Sequence, residues 1–567
     1  MRYLIIGAVA GGASAAARLR RNDEHAEIIL FERGSHVSYA NCGLPYYIGS
    51  VIKNRDDLFV QTAEAFKQRF NIDVRVKTEV LSINPTQKSI LARNLITGEE
   101  YNVSYDKLLL SPGADAIRPP LPGINLEGIF TLRNVRDTDF IKAYVNEKSV
   151  TKVAVVGAGF IGLEMAENLR HLGKEVSLIE MGNQVMAPLD YTMAAQVQET
   201  LRKEGVQLYL GQAVQRFDAG TEHPIRVELN SGKSLELDLV LLSIGVKPET
   251  KLASEAGLAI GNARGILVNE FLQTSNPDIY AVGDAIEFIN PITGISMNTY
   301  LAGPANKQGR LAADNMVDGN KYPYSGSINT AIVKVFNQTI ATTGMASKHL
   351  KAAGIPHVVS YTRSGSHAGY FPGARQMTIQ LVFSPENGRL LGAQIVGEEG
   401  VDKRIDVLSE IIKNHGTIRH LTEFEQAYAP PFSSAKDPIN MAGFVAENIL
   451  KGKHRIWNYF PEEGLPKGLL IDVRTPEEFS HGALQHAQNI PLDDLRSRMH
   501  ELNPNEPIFI YCQSGLRGYL AQRILTQHGF HETFNLSGGY ATYHPAFAEF
   551  QSLQSEKEKQ QPVALGV

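Results

Sequence analysis

The stretch "KVAVVGAGFIGLEMAENLRHLGKEVSLIEMG", residues 152–182, decides the fold. A short apolar run, "KVAVV", reads as a strand buried on both faces. It runs into Gly157, Gly159 and Gly162, spaced G-x-G-x-x-G, and then into strong helix formers. In that pattern the first glycine makes a tight turn. The second lets backbone approach a pyrophosphate, and the third lets the helix pack on the strand. The helix N-terminus then offers free N–H groups to the phosphates. A second strand ends on Glu180, at the distance where a carboxylate accepts from the adenosine ribose 2′-OH and repels a 2′-phosphate. No arginine follows immediately. The segment reads as a dinucleotide-binding βαβ unit that takes NADH over NADPH.

An imperfect copy opens the chain: "YLIIG" as a strand, "AVAGGASAAARLRR" as a helix, and "AEIILFERG" as a strand ending on Glu32. Gly7 and Gly12 frame this turn, with Val9 at the middle glycine position. Farther on, "TSNPDIYAVGDA" places Asp284 after Gly283 at a strand end, where an acid suits the ribityl hydroxyls of a flavin. From about Ser325 the texture changes. "INTAIVKVFNQTIATTGMA" and "QMTIQLVFSPENGRLLGAQIVG" alternate as antiparallel strands. A polar, aromatic linker, "KGKHRIWNYFPEEG", precedes a further small α/β unit beginning "GLLIDVRTPEEF". The end, "QSEKEKQQPVALGV", has the composition of a disordered tail.

The bulk figures fit a multidomain globular chain. At 567 residues, roughly three to four domains are expected. Hydrophobic residues make up 43% and charged residues 20%, with a net charge of −5. No basic stripe points to nucleic acid, and no run of about 18 apolar residues points to a membrane span. The first residues enter a strand and a glycine turn at once, unlike a signal peptide. Two cysteines cannot build a disulfide framework, so the expected compartment is the cytoplasm. No metal site is expected.

The pieces "IIGAVAGG", "LLLSPGA", "VVGAGFIGLE", "LLSIGVKP" and "IYAVGDA", in this order, resemble the flavin- and pyridine-nucleotide-dependent disulfide reductases over roughly residues 1–450. The resemblance implies an α/β chain with two Rossmann-like domains, FAD-binding over 1–112 and 246–324 and NAD(P)H-binding over 113–245. An α+β dimerisation domain follows over 325–451, then a linker over 452–462. It assigns Gly7, Ala10, Gly11, Gly12, Glu32, Arg33, Pro112, Gly113, Gly283 and Asp284 to FAD. It assigns Gly157, Gly159, Phe160, Ile161, Gly162, Glu180 and Gly245 to NADH. In such relatives an aromatic at Phe160 covers the flavin until nicotinamide arrives, and Glu164, one helical turn on, approaches the flavin edge.

Both cysteines lie in glycine-bearing loops, Cys42 in "VSYANCGLPYYIG" and Cys512 in "IFIYCQSGLRGYL". Cys42 has no second cysteine in a C-x4-C pair. A lone thiol can form a mixed disulfide with a small thiol, cycle through sulfenic acid, or be structural. Its place at a helix start predicts a lowered thiol pKa. The peroxidase and oxidase relatives carry a histidine where this chain has Ala10. "VAGG" together with "NC-x-LPY" resembles the coenzyme A disulfide reductases. Ser14, Arg18 and Arg21 fall on one helical face that could point toward Ser38 and Asn41. Two guanidiniums there suit CoA phosphates; equally, they suit the helix C-terminus and water. The resemblance favours CoA. It further implies that Tyr370 in "SGSHAGYFPGA" and Tyr428 in "EQAYAPPFSSAKDPIN" serve a partner subunit's cysteine in a homodimer with shared active sites.

Cys512 and Arg517 are spaced C-x4-R in a strand–loop–helix context. Successive N–H groups in such a loop cradle an anion. With "LLIDVRTPEEF" and "NLSGGYATY", the region resembles rhodanese over 463–552, leaving 553–567 as the tail. Together these imply an NADH-dependent CoA-persulfide, polysulfide and CoA-disulfide reductase. Cys42 forms a mixed disulfide with CoA, and Cys512 handles sulfane sulfur. An NADH oxidase or peroxidase and a flavoprotein sulfane-sulfur sensor are the alternative readings.

Overall fold

Strand Arg2–Ile6 is central in a parallel five-stranded sheet, flanked by Glu27–Phe31 and then Asp73–Arg75 on one side, and by Lys107–Leu110 and then Ile279–Ala281 on the other. Tyr3 pairs with Ile28 and with Lys107. The strand's apolar residues are buried, as a sheet covered on both faces requires. We describe a computed structural model covering residues 1–147 and 149–560. It divides into two compact units, Met1–Ser177 with Val214–Asn329, and Leu178–Ala213 with Thr330 onward.

In the first unit the glycines act as steric switches. Gly7 sits at φ +95°, and a Cβ there would lie 2.1 Å from Ser111 O. A Cβ on Gly12 would lie 1.8 Å from Gly7 O, so the helix Ala10–Asn22 reaches its strand only through glycine. The same helix packs on Ala302–Asp318, where a Cβ on Gly309 would lie 2.1 Å from Gly11 O. The second fingerprint repeats the geometry. Gly157 is at φ +101°, and a Cβ on Gly162 would lie 2.0 Å from Gly157 O. The strand Lys152–Val156 pairs in parallel with Leu239–Leu242, which pairs in parallel with Ile129–Thr131.

The second unit holds an antiparallel sheet of five strands, in the order Ala331–Val335, Gln338–Gly344, Leu390–Gly397, Gln376–Phe383, Val358–Gly365. Helices Val401–Lys413 and Pro438–Leu450 pack on it. Helix Tyr191–Lys203 also packs on this sheet, next to a polar layer. There Asp190 accepts Gln380 Nε2 at 2.7 Å and Ser347 N at 2.9 Å, while its own N–H donates to Gln394. The C-terminal α/β part has five parallel strands ordered Ile456–Trp457, Thr533–Leu536, Ile508–Tyr511, Leu469–Asp472, Gln488–Asn489. It is held to the rest of its unit. Tyr361 N donates to Ser537 Oγ at 2.8 Å, and the nearly buried Glu549 accepts Gln198 Nε2 at 3.0 Å and Arg202 Nε at 2.8 Å.

One boundary differs from the sequence reading. The last helix runs from Tyr540 to Gln560, past the expected tail start at 553, because Leu553 is buried and packs toward Gly211. Residues 561–567 of the expected tail lie outside the described residues.

Candidate active site

Around Cys42 the first unit gathers groups from distant parts of the chain. Cys42 lies in a 3₁₀ turn, Asn41–Gly43, that leads into the five-residue helix Leu44–Ile48. Its side chain is exposed. Tyr46, one turn on, donates its hydroxyl to Glu164 Oε1 at 3.4 Å. Glu164 projects from the second fingerprint helix, Phe160–His171. Burial pushes its carboxyl up to about 7, against a smaller lowering by the Tyr46 hydrogen bond. Burial pushes the Tyr46 phenol up to about 12, and the Glu164 charge adds to this.

The expected lowering of the Cys42 thiol pKa is corrected. Desolvation raises it, and the charges of Glu164 and Asp284 raise it further. A helix of five residues supplies too little dipole to offset two carboxylates.

The dinucleotide turns are shaped for ligands. A Cβ on Gly159 would meet nothing within 4 Å, so the middle glycine position faces open space. That explains how Val9 is tolerated at the same position in the first copy. Glu32 folds back over the first turn, accepting Ala8 N at 3.1 Å and Gly34 N at 2.7 Å. Arg33 pairs with Asp115 at 3.2 Å. Gly113 is at φ +80°, packed against Arg133. Asp284 lies in the turn Gly283–Ala285, where Gly283 N donates to Gln308 Oε1 at 2.7 Å, and burial raises its carboxyl pKa. A half-buried carboxylate beside an open glycine turn fits a flavin's ribityl hydroxyls. Gly245, at φ +111°, follows the strand paired to the second fingerprint. Phe160 and Ile161 open the helix, and Ile161 is exposed. Glu180 ends the strand Glu175–Glu180, with Oε1 accepting Gly182 N at 2.8 Å.

The structure divides the residues assigned to CoA. Ser14 donates to Asn306 Oδ1, and Arg18 holds Asp314 through Nε at 2.6 Å and Nη2 at 3.2 Å. Both therefore face the Ala302–Asp318 helix, and the Arg18 charge already has a carboxylate. Arg21 is exposed, as are Lys307 and Arg310 on the neighbouring helix, two cations the sequence reading did not consider. Ser38 adopts φ +46°, donating its N–H to Ala8 O, and the buried Asn41 Oδ1 has no hydrogen-bond partner.

In the second unit, Tyr370 and Tyr428 share a hydroxyl hydrogen bond of 2.8 Å on an exposed aromatic surface with Phe371 and Phe432. Their loops are tied together underneath. Buried Arg404 donates through Nη2 to Asp437 Oδ2 at 2.8 Å and to Ser366 O at 2.9 Å. Ser433 Oγ donates to Asp437, and Ser433 O accepts Ala368 N at 3.0 Å.

Cys512 follows the strand Ile508–Tyr511, with 1% exposure. Its Sγ accepts Gly515 N–H at 3.1 Å. Gly539 passes under the loop, where a Cβ would lie 2.5 Å from Cys512 O. Arg517 opens the next helix and is held by Glu478, a residue the sequence reading missed although "TPEEF" is a capping-box signal. Among the described residues no helix is long and apolar enough to cross a membrane, and no group of three or more His, Cys, Asp or Glu is placed to hold a metal.

Two nucleotide-binding turns, one accessible thiol and an antiparallel sheet in the second unit define a flavin-type disulfide oxidoreductase. The chain belongs to the pyridine nucleotide-disulphide oxidoreductase family, whose model matches residues 1–309 and whose dimerisation-domain model matches 330–438. A rhodanese-like domain matches 460–546. Over 448 residues it is 36% identical to a coenzyme A disulfide reductase of Staphylococcus haemolyticus, covering 79% of this chain and all of that one. The crystal structure of reduced Bacillus anthracis CoADR-RHD superposes with a TM-score of 0.93 at 47% identity, covering 97% of this chain and 98% of that one. A NAD-dependent persulfide reductase from A. fulgidus gives a TM-score of 0.90 at 37% identity, covering 96% and 100%.

Proposed function

We propose that this chain is an FAD-dependent NADH:CoA-persulfide and polysulfide reductase that also reduces CoA disulfide. The observation that carries the reading is one exposed thiol, Cys42, beside a half-buried carboxyl–phenol pair, with no second cysteine in its unit. When bound, FAD relays the electron pair of NADH to sulfur. Gly7, Ala10, Gly11, Gly12, Glu32, Arg33, Pro112, Gly113, Gly283 and Asp284 would hold FAD. Gly157, Gly159, Phe160, Ile161, Gly162, Glu180 and Gly245 would hold NADH, with Glu180 disfavouring a 2′-phosphate.

As a thiolate, Cys42 attacks the CoA-bound sulfur of a CoA persulfide. A Cys42–CoA disulfide forms, and the outer sulfur leaves as hydrosulfide. With CoA disulfide, the leaving group is one CoA thiolate. Two electrons then break the mixed disulfide, returning CoA thiol and Cys42 thiolate. Glu164 holds a proton near neutral pH and, with Tyr46, can protonate a departing thiolate. Tyr370 and Tyr428 are proposed to serve the Cys42 of a second copy in a homodimer, a reading that the match to a dimerisation-domain model supports. Ser38, Asn41 and Arg21 are proposed to contact CoA, with Ser14 and Arg18 shaping that surface through Asn306 and Asp314. Cys512 would carry sulfane sulfur as a persulfide in its N–H loop, with Arg517 fixing the loop. We place the enzyme in the cytoplasm, where both thiols stay reduced.

Native mass spectrometry with turnover assays tests this. The wild type should carry FAD and lose bound CoA on addition of thiol. Cys42→Ser should retain FAD and release no hydrosulfide from CoA persulfide and NADH. Normal hydrosulfide release by that variant refutes the mechanism. Oxygen consumption as fast as sulfur reduction would favour the oxidase reading instead.

A further inference from the structure

Arg517 closes the C-x4-R loop, but its charge is already neutralised. Its Nη1 and Nη2 donate to Glu478 Oε2 and Oε1, both at 2.7 Å. Glu478 is fixed independently by a reciprocal capping box. It accepts Thr475 N at 3.0 Å, while its own N–H donates to Thr475 Oγ1 at 3.2 Å. These bonds hold its carboxyl down at about 2, so it is charged at neutral pH. Arg474, whose Nη1 reaches the loop residue Gln513 at 3.4 Å, is bound in turn by buried Asp472, with Nη2 to Oδ2 at 2.6 Å. Both arginines near the sulfur therefore lie in neutral pairs. The Sγ itself is met by the Gly515 N–H. Beside it, Leu516 is 59% exposed and Leu520, one helical turn on, 43%. The buried sulfur thus has a backbone N–H donor and no free cation from these two arginines, and the helix after the loop opens with two exposed leucines.

We propose that Glu478 sets the sulfur donor of Cys512, admitting organic persulfides that carry one negative charge and rejecting the thiosulfate dianion. This rests on the reading of Cys512 as a persulfide carrier. In the step, Cys512 thiolate attacks the donor's outer sulfur, and the Sγ–S bond forms as the donor's S–S bond breaks. The electron pair leaves on the organic thiolate or on sulfite, and no electrons are gained or lost overall. With Arg517 neutralised by Glu478, no free cation is left to hold the second charge of thiosulfate and of departing sulfite, whereas an organic persulfide and its thiolate carry one charge each. Withholding a cation in this way discriminates donors more than it changes the chemistry.

The test follows sulfur gain at Cys512 in the full-length holoenzyme, by rapid quenching, alkylation and peptide mass spectrometry. N-acetylcysteamine persulfide and thiosulfate are the donors. Glu478→Gln keeps the capping geometry and removes the charge. It should raise the thiosulfate-to-persulfide rate ratio by at least ~10-fold. Glu478→Asp should leave that ratio near wild type, and added salt should lower the thiosulfate rate of Glu478→Gln while moving the wild-type rate little. An unchanged or lower ratio in Glu478→Gln, or a salt-insensitive thiosulfate rate in that variant, overturns the proposal. If Cys512 gains sulfur from neither donor, the carrier reading itself fails. If it gains sulfur from both while Glu478→Gln does nothing, only the donor rule fails.

Discussion

Replacing Glu164 by glutamine should remove a pH dependence that its burial builds into the first unit. The carboxyl rises from its ordinary 4.5 to about 7, chiefly by desolvation. Below pH 4.5 both folded and unfolded chains hold this proton, and burial costs nothing through ionisation. Between 4.5 and 7 the unfolded chain releases the proton and the folded chain keeps it, so folding loses stability as pH rises. Above 7 the loss is complete. At ~1.4 kcal/mol per pH unit, the span amounts to about 3 kcal/mol. Glutamine has no such titration and can still accept the Tyr46 hydroxyl. Urea unfolding at saturating FAD, followed through flavin release, should therefore show Glu164→Gln more stable than wild type by up to about 3 kcal/mol at pH 8. The two should differ little at pH 4.5. The thiol reports the same event. Ionised Glu164 pushes Cys42 up, so in Glu164→Gln iodoacetamide should alkylate Cys42 at a lower pH. Parallel stability curves and identical alkylation profiles would show that Glu164 is solvated and that the desolvation argument is wrong.

Other perturbations probe separate parts of the chain. Gly162→Ala places a Cβ about where Gly157 O lies, 2.0 Å away, so NADH should no longer bleach the flavin at micromolar concentration while FAD stays bound; normal bleaching would refute the steric account. Asp437→Asn leaves buried Arg404 without its anion and should cost ~3–5 kcal/mol in urea unfolding. The Asp437 pKa is depressed, so the wild-type advantage is present above the ordinary carboxylate range and is lost as acid carries the pH through the folded value. Ser433→Ala removes the hydroxyl held by Asp437 and Arg404 under the tyrosine loops, while the backbone bond from Ala368 N to Ser433 O remains; it should lower kcat with KM little changed, and an unchanged kcat would make that hydroxyl purely structural. Glu549→Gln weakens the hold on Arg202 and Gln198, so limited proteolysis should cut the linker near 452–462 sooner than in wild type.

What could be read from the sequence was whatever obeys a local steric rule. Gly157 and Gly162 were legible because only glycine survives at φ +101° or with backbone 2.0 Å from its missing Cβ. Cys512 and Arg517 were legible because a short loop between strand and helix fixes their spacing. What stayed hidden depends on chain ends meeting in space. Arg18 finds Asp314 across 296 positions and Arg517 finds Glu478 across 39, so no local pattern shows that these cations are already paired. Local reasoning misjudged the Cys42 thiol for the same reason, since the carboxylates that raise it come from the second fingerprint helix and from the turn at Asp284. The last helix passes the expected tail start because Leu553 has a tertiary partner that composition cannot reveal.

The two thiols are protected by opposite means. Oxidation of a cysteine needs both thiolate character and access. Cys42 has access but sits where desolvation and two carboxylates keep the proton on sulfur. Cys512 lacks access, since 1% exposure closes it to bulk oxidants. Neither site combines the two conditions by itself. At Cys42 the missing condition is a change of local charge, which protonation of Glu164 supplies in part. At Cys512 it is entry of a donor to a sulfur that is only 1% exposed. A chain that holds its only two cysteines in this way limits their reactivity to moments when a matching partner is present, which is what an enzyme handling reactive sulfur requires.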